Sequence, residues 1–371
     1  MSMSTSYKVC VIGGAGYIGS WLVKQLLEKG YTVHATLRNL DDMSKVSLLK
    51  SLPDADARLV LFEADIYNPI EFEHAIEGCE FVFHVATPLQ HTENSQYKNI
   101  TEAAIAGAKS IAECCLKSGT VKRLIYTASV VAASPLKEDG SGFGNLVDET
   151  CWTPLSLSFA GTNGHRKAYV DSKTLAEREI LSYGNQKNGG LEVVTLACGL
   201  VGGDALLPFT SSSVAVFISQ LTNSATEYQL LRFLEELVGK IPIVHIDDVC
   251  DAHIFCMEKP SISGRFLCAS SYVSSAEIAT YYQQNYPKFQ VKPEYVAIFF
   301  PKVFFQMFLR LNFKINGILE FGFRYLDGPK REIVWGSTKL EEKGFEYKYC
   351  TKMILDDCIR CARNRGGTDF Q

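Results

Sequence analysis

Residues Val9-Cys10-Val11-Ile12 form a short apolar run, and Gly13-Gly14-Ala15-Gly16-Tyr17-Ile18-Gly19 follows it without a break. Gly13, Gly16 and Gly19 stand in a GxxGxxG pattern between an expected buried strand and an expected helix, Tyr17 to Lys29, that stops at Gly30. In a βαβ unit the first glycine permits the tight turn, the second lets a pyrophosphate approach the backbone, and the third lets helix and strand pack closely. The phosphates then sit at the helix N-terminus, where free amides and the helix dipole favour negative charge. The pattern predicts dinucleotide binding along Gly13, Gly16, Tyr17, Ile18 and Gly19.

Downstream, apolar runs alternate with amphipathic stretches. Strands are expected at Thr32 to Leu37, Arg58 to Glu63, Phe81 to Ala86, Arg123 to Ala128 and Leu191 to Ala197, and helices at Tyr97 to Lys117 and Ala168 to Tyr183. Runs without strict alternation suit strands covered on both faces. Strand–helix alternation then implies right-handed crossovers and an α/β, Rossmann-type doubly wound parallel sheet. Residues 1–197 are expected to form this dinucleotide-binding domain, with 240–260 returning to it. Residues 198–371 are expected to form a smaller C-terminal substrate-binding lobe over the carboxyl ends of the strands. Leu136 to Lys167, rich in Gly, Ser, Asn and Pro, reads as a long functional excursion.

Composition excludes several alternatives. A net charge of −4 without any dense basic run argues against nucleic-acid binding. Twelve scattered cysteines and a short polar start, Met1 to Tyr7, point to reduced thiols and a cytoplasmic protein. Cys358 and Cys361 form a CxxC, but with no second pair at zinc spacing they read as two thiols on one helix face, and no metal is expected.

The end of the second strand selects the cofactor. An acidic residue there would repel a 2′-phosphate, whereas an arginine accommodates it. Here Arg38 stands at that place with Lys45 nearby, so NADPH is expected over NADH. Tyr169-Val170-Asp171-Ser172-Lys173 gives YxxxK on a helix, and residues four apart share one face. The pattern predicts Tyr169 as proton donor to a carbonyl oxygen, with the Lys173 cation favouring phenolate. Ser129, closing a strand at the sheet's carboxyl edge, would orient that oxygen.

These residues together resemble the extended short-chain dehydrogenase/reductases, and more closely the plant dihydroflavonol reductase-like group. Matching stretches run along nearly the whole chain: Gly13 to Trp21, Glu77-Gly78-Cys79, Phe83 to Pro88, Tyr169 with Ser172 to Glu177, Val244 to Val249, Gly264-Arg265-Phe266, and Lys339-Leu340 with Gly344-Phe345. The resemblance implies NADPH-dependent reduction of a small-molecule carbonyl substrate, a plant phenolic or alkaloid-like compound, with Ser129, Tyr169 and Lys173 as the catalytic triad. It also places Arg38 and Lys45 at the 2′-phosphate, Asp65 and Ile66 beside the adenine, and Val85, Ala86 and Thr87 along the nucleotide. Pro88, Ser134, Leu206 and Phe209 are assigned to the substrate pocket by topology and resemblance.

The chain departs from the group's pattern at several positions. Ile12 replaces a threonine, removing a hydroxyl expected to stabilise the glycine turn, and Ala197 or Cys198 replaces a proline. Ser134 stands where dihydroflavonol reductases carry a substrate-holding asparagine. Residues 296–324 form an insert with eight phenylalanines, interrupted by charges too often to make a bilayer span. A partly buried extra helix, a homodimer contact and a membrane-surface helix stay open for it. His84 and His245 read as satisfied core groups or supports of the site rather than catalysts, Trp21 and Trp335 as packing residues, and Asp247-Asp248 as the cap of a helix beginning near Val249. An oxidative NAD(P)-dependent dehydrogenase and a non-catalytic NADPH-binding protein remain as competing functions.

Overall fold

A computed structural model describes residues 6–91, 95–156, 163–184, 191–289, 291 and 332–365. In chain order the first half runs β1 (Lys8–Ile12), α1 (Tyr17–Glu28), β2 (Thr32–Leu37), α2 (Met43–Lys50), α3 (Ala55–Arg58), β3 (Leu59–Glu63), α4 (Phe72–Ile76), β4 (Phe81–His84), α5 (Ile100–Ser118), β5 (Arg123–Ser129), β6 (Leu146–Val147), α6 (Gly164–Gly184) and β7 (Glu192–Cys198). The second half adds β8 (Leu200–Gly202), α7 (Ser212–Phe217), α8 (Ser219–Thr222), α9 (Ala225–Val238), β9 (Ile241–His245), α10 (Ile246–Glu258), β10 (Gly264–Cys268), β11 (Ser271–Val273), α11 (Ser275–Asn285), β12 (Val334–Trp335), α12 (Lys339–Glu342) and α13 (Thr351–Asn364).

Seven strands, all paired in parallel, make one sheet in the order β10-β7-β5-β4-β1-β2-β3. The order reverses between β1 and β4, which is where ligands of open α/β sheets bind, beyond the carboxyl ends of the strands. Burial follows the helical periods. On one face α1 contributes Leu22, Val23, Leu26 and Leu27, and α10 contributes Val249, Ala252 and Ile254. The other face takes Ala104, Ala108 and Ile111 of α5 with Val170, Ala176 and Ile180 of α6. Both faces of the strands are therefore dry, as their unalternating apolar sequences require.

The chain comes back to this sheet after β9: α10 packs on α1, and β10 pairs with β7 from Gly264↔Val194 to Cys268↔Cys198. Two small sheets, β11-β9-β8 and β12-β6, stand apart from it. The stretch after β5 is tied down at Ala132, Glu149 and Cys151. Arg265, nearly fully buried, donates to Glu177 of α6 and to the carbonyls of Ala132, Glu149 and Cys151. Glu177 also accepts from Thr195 Oγ1 at 2.7 Å, so one ion pair links α6, β7, β10 and the excursion.

Helix α10 starts at Ile246, three residues ahead of the expected Val249, and its cap is not Asp247 or Asp248. His245 Nδ1 accepts the Asp247 N–H instead, and the carboxylates are taken elsewhere: Asp247 receives Trp21 Nε1 at 2.6 Å, and Asp248 receives the amides of Lys348 and Tyr349. Trp21 is thus a hydrogen-bond donor as well as a packing residue, and Trp335 packs against Tyr272. Cys358 and Cys361 both lie buried in α13, where Cys358 Sγ accepts from Gly203 N. The phenylalanine-rich insert 296–324 lies outside the described residues.

Candidate active site

The glycine turn is built by backbone conformation. Gly13 has φ +87°, a region costly for side-chain-bearing residues, and a Cβ there would come within 3.0 Å of Ala86. At Gly19 a Cβ would lie 2.1 Å from Gly13 O, so only glycine lets α1 begin against the turn. Gly16 precedes the helix in extended conformation and brings no capping side chain, leaving the first-turn amides to face whatever binds there. The hydroxyl expected to be lost at Ile12 is supplied from the neighbouring strand. Gly13 N donates to Thr36 Oγ1 at 3.1 Å and Gly14 N to Thr36 O at 3.0 Å. A sequence pattern of position-by-position replacement misses this because the donor and acceptor are 23 residues apart.

Tyr17 behaves differently from its glycine neighbours. Its hydroxyl is buried without a hydrogen-bond partner among the described residues, and its surroundings include Cys250, Cys358, Cys361 and Asp204. Arg38 is exposed just beyond β2, and no ion-pair partner for it is found among the described residues. Lys45 is held by Asp42 at 2.7 Å, and Asp42 in turn caps α2. Asp42 therefore serves the helix start, leaving Arg38 without an ion-pair partner among the described residues at the end of β2. Asp65 is half-buried, with its carboxylate accepting Tyr67 N, and Ile66 is buried against Gly107 of α5. After β4, Val85, Ala86 and Thr87 are half-buried and Pro88 is buried, with Val85 N bonded to Ile12 O beside the glycine turn.

At the carboxyl end of β5, Ser129 pairs in register with Cys198 of β7. The Tyr169 phenol meets Ser129 in a hydrogen bond that favours ionisation, but burial outweighs it and holds the phenol above its ordinary value. Lys173, one turn further along α6, is buried and donates to Thr127 O at 2.9 Å, with its ammonium 5.2 Å from the Tyr126 ring centroid. Burial lowers its pKa to about 8. The Lys173 ammonium is hydrogen-bonded to the Thr127 carbonyl, and burial is the larger influence on the Tyr169 phenol.

The nominated pocket residues divide. Ser134 is fully buried, donates to Leu237 O and accepts from Leu136 N, so its hydroxyl is already committed. It lines a surface cleft of about 590 Å³ with Lys137, Glu138, Trp152 and Arg178, a cleft that includes none of Ser129, Tyr169 and Lys173. Leu206 is half-buried and Phe209 largely exposed, on a loop that Arg365 fastens by donating to Ala205 O and Leu207 O. Arg365, Glu177, Arg265 and Thr36 are supports that local sequence does not announce; each acts on a residue distant in the chain.

The model of the NAD dependent epimerase/dehydratase family matches residues 9–267. The chain belongs to this family. Among its relatives, a putative anthocyanidin reductase of Ginkgo biloba is 35% identical over 96% of this chain and 95% of its own length. Anthocyanidin reductase of Arabidopsis thaliana is 36% identical over 97% of this chain and 96% of its own. The crystal structure of vestitone reductase from alfalfa superposes with a TM-score of 0.71 at 30% identity, covering 97% of this chain and 99% of that one. Family membership thus agrees with the fold and with the extended short-chain dehydrogenase/reductase resemblance. No helix among the described residues is long and apolar enough to cross a membrane.

Proposed function

We propose that this family member is an NADPH-dependent carbonyl reductase acting on a hydrophobic plant secondary metabolite, a flavonoid, isoflavonoid or alkaloid-like ketone. The observation that carries the reading is the cluster of Ser129, Tyr169 and Lys173 at the carboxyl edge of the sheet, together with a glycine turn too tight for side chains at the start of α1. The relatives named as anthocyanidin and vestitone reductases support the substrate class.

Gly13, Gly16, Ile18 and Gly19 would take the pyrophosphate on α1, and Arg38, with Lys45 behind its Asp42 partner, the 2′-phosphate. Asp65 and Ile66 would meet the adenine, and Val85 to Thr87 the nucleotide's inner edge. NADPH, when bound, supplies the hydride. Tyr169 donates the proton to the carbonyl oxygen, and a phenol held above its ordinary value keeps that proton at neutral pH. Ser129 orients the same oxygen, and Lys173 returns positive charge to the site as the phenol loses its proton. Leu206, Phe209 and Pro88 would flank an apolar substrate.

Loss of reduced-nicotinamide absorbance over a panel of anthocyanidins, isoflavanones and alkaloid ketones tests this directly. The Tyr169→Phe variant is expected to lose on the order of 10²–10⁴ in kcat, the usual contribution of a positioned acid, while NADPH still binds. Turnover surviving in that variant would remove Tyr169 from the chemistry. Tight NADPH binding without turnover on any carbonyl would favour a non-catalytic binder.

A further inference from the structure

The His245 ring closes β9, with Nδ1 hydrogen-bonded and Nε2 buried without a hydrogen-bond partner among the described residues. Nδ1 accepts the Asp247 N–H at 3.2 Å, which leaves the proton on Nε2, facing Asp357 of α13 at 3.3 Å. One face lies flat on Tyr349, centroids 3.7 Å apart and planes 9° from parallel. The edge presses on Gly203, where a Cβ would come within 2.4 Å of Nε2. From α13, Arg360 also pairs with Asp357 at 2.8 Å. Asp247, whose amide the ring holds, has its own carboxylate on α1: Trp21 Nε1 at 2.6 Å and Gln25 Nε2 at 3.1 Å, with Tyr349 OH at 2.9 Å.

Of the ring's contacts, the one to the Asp247 amide leads to a carboxylate bound by α1, the helix that starts at the glycine turn. We propose that His245 is a positioning residue for the cofactor: as a neutral imidazole it fixes Asp247, and Asp247 fixes α1 through Trp21 and Gln25, so that the first-turn amides point at the pyrophosphate. Tyr349 and Asp357 dock the C-terminal segment onto the same ring. The inference rests on the NADPH reading above, and no part of it places His245 in contact with substrate.

The test uses the full chain and NADPH titrations of the wild type, His245→Phe, His245→Asn and Trp21→Phe. Phe keeps the stack on Tyr349 but removes the cap; Asn restores an acceptor for the Asp247 amide. His245→Phe is expected to raise the NADPH Kd on the order of 10-fold, with kcat at saturating cofactor changed by less than about twofold. Asn is expected to recover most of the affinity. Trp21→Phe reads the same link from α1 if His245→Phe fails to fold, and it too is expected to raise Kd. Unchanged Kd in either folded variant overturns the inference while leaving the cofactor reading intact, as does a loss that Asn does not recover. A wild-type chain that binds no NADPH overturns both.

Discussion

At Lys173 a cation is enclosed between the Thr127 carbonyl and the Tyr126 ring, and the cost of burial sets its pKa at about 8. Charge on this group is complete below that value and is lost above it. Carbonyl reduction by the proposed mechanism is therefore expected to decline as pH rises through about 8, measured as kcat/KM against pH, and Lys173→Met is expected to lack that limb. Thr36 offers a second test at the same scale. Its hydroxyl holds Gly13 N in the turn, so Thr36→Val should cost about 1–3 kcal/mol of stability by leaving a buried amide unpaired, read as a lower urea midpoint. Neither effect is visible from neighbours in the chain, since Thr36 sits on β2 and the carbonyl of Thr127 on β5.

Among the elements, α6 carries Tyr169 and Lys173 and is held from outside the candidate site. Glu177, fully buried, sits one turn beyond Lys173 and has Arg265 and Thr195 as partners. Breaking such a pair leaves an uncompensated charge indoors. Arg265→Met is expected to destabilise the protein by about 3–5 kcal/mol, and calorimetry or urea unfolding reads the change. Element type was legible where the periodicity was strong: α1, α5, α6 and the parallel strands fall within a few residues of the expected bounds. Starts set by tertiary partners were not. Asp247 and Asp248 look like capping residues in sequence, yet distant donors (Trp21 for one, the amides of Lys348 and Tyr349 for the other) claim them, and His245 takes over the cap.

Among the described residues, four buried imidazoles (His34, His84, His245 and His253) are lowered by burial and share one consequence. Burial lowers His84 to about 3 and His253 to about 4, and lowers His245 against the pull of Asp247 and Asp357. A histidine depressed in the native state binds fewer protons there than in the unfolded chain below about 6.5, so acid favours unfolding. Stability is expected to hold above that pH and to fall steadily toward about 4, followed by urea midpoints across the range. His253 is fixed in its neutral form between Thr127 and the Val249 carbonyl, so His253→Phe should flatten part of this dependence even if the native state is weakened.

The glycine pattern and the unalternating apolar strands by themselves determined the parallel α/β sheet, and with the YxxxK spacing they nominated the residues proposed here for a dinucleotide and for carbonyl chemistry. These are properties of short stretches, where backbone sterics and helical period leave few options. Tertiary structure alone decided that Thr36 replaces the missing hydroxyl, that Lys173 bonds the Thr127 carbonyl, and that Ser134 is spent on Leu237 O. It also decided that β10 joins the first sheet and that Arg265 and Glu177 brace the helix of the site. Each of these is a contact between residues far apart in the chain, and a buried polar atom takes whichever partner the packing delivers.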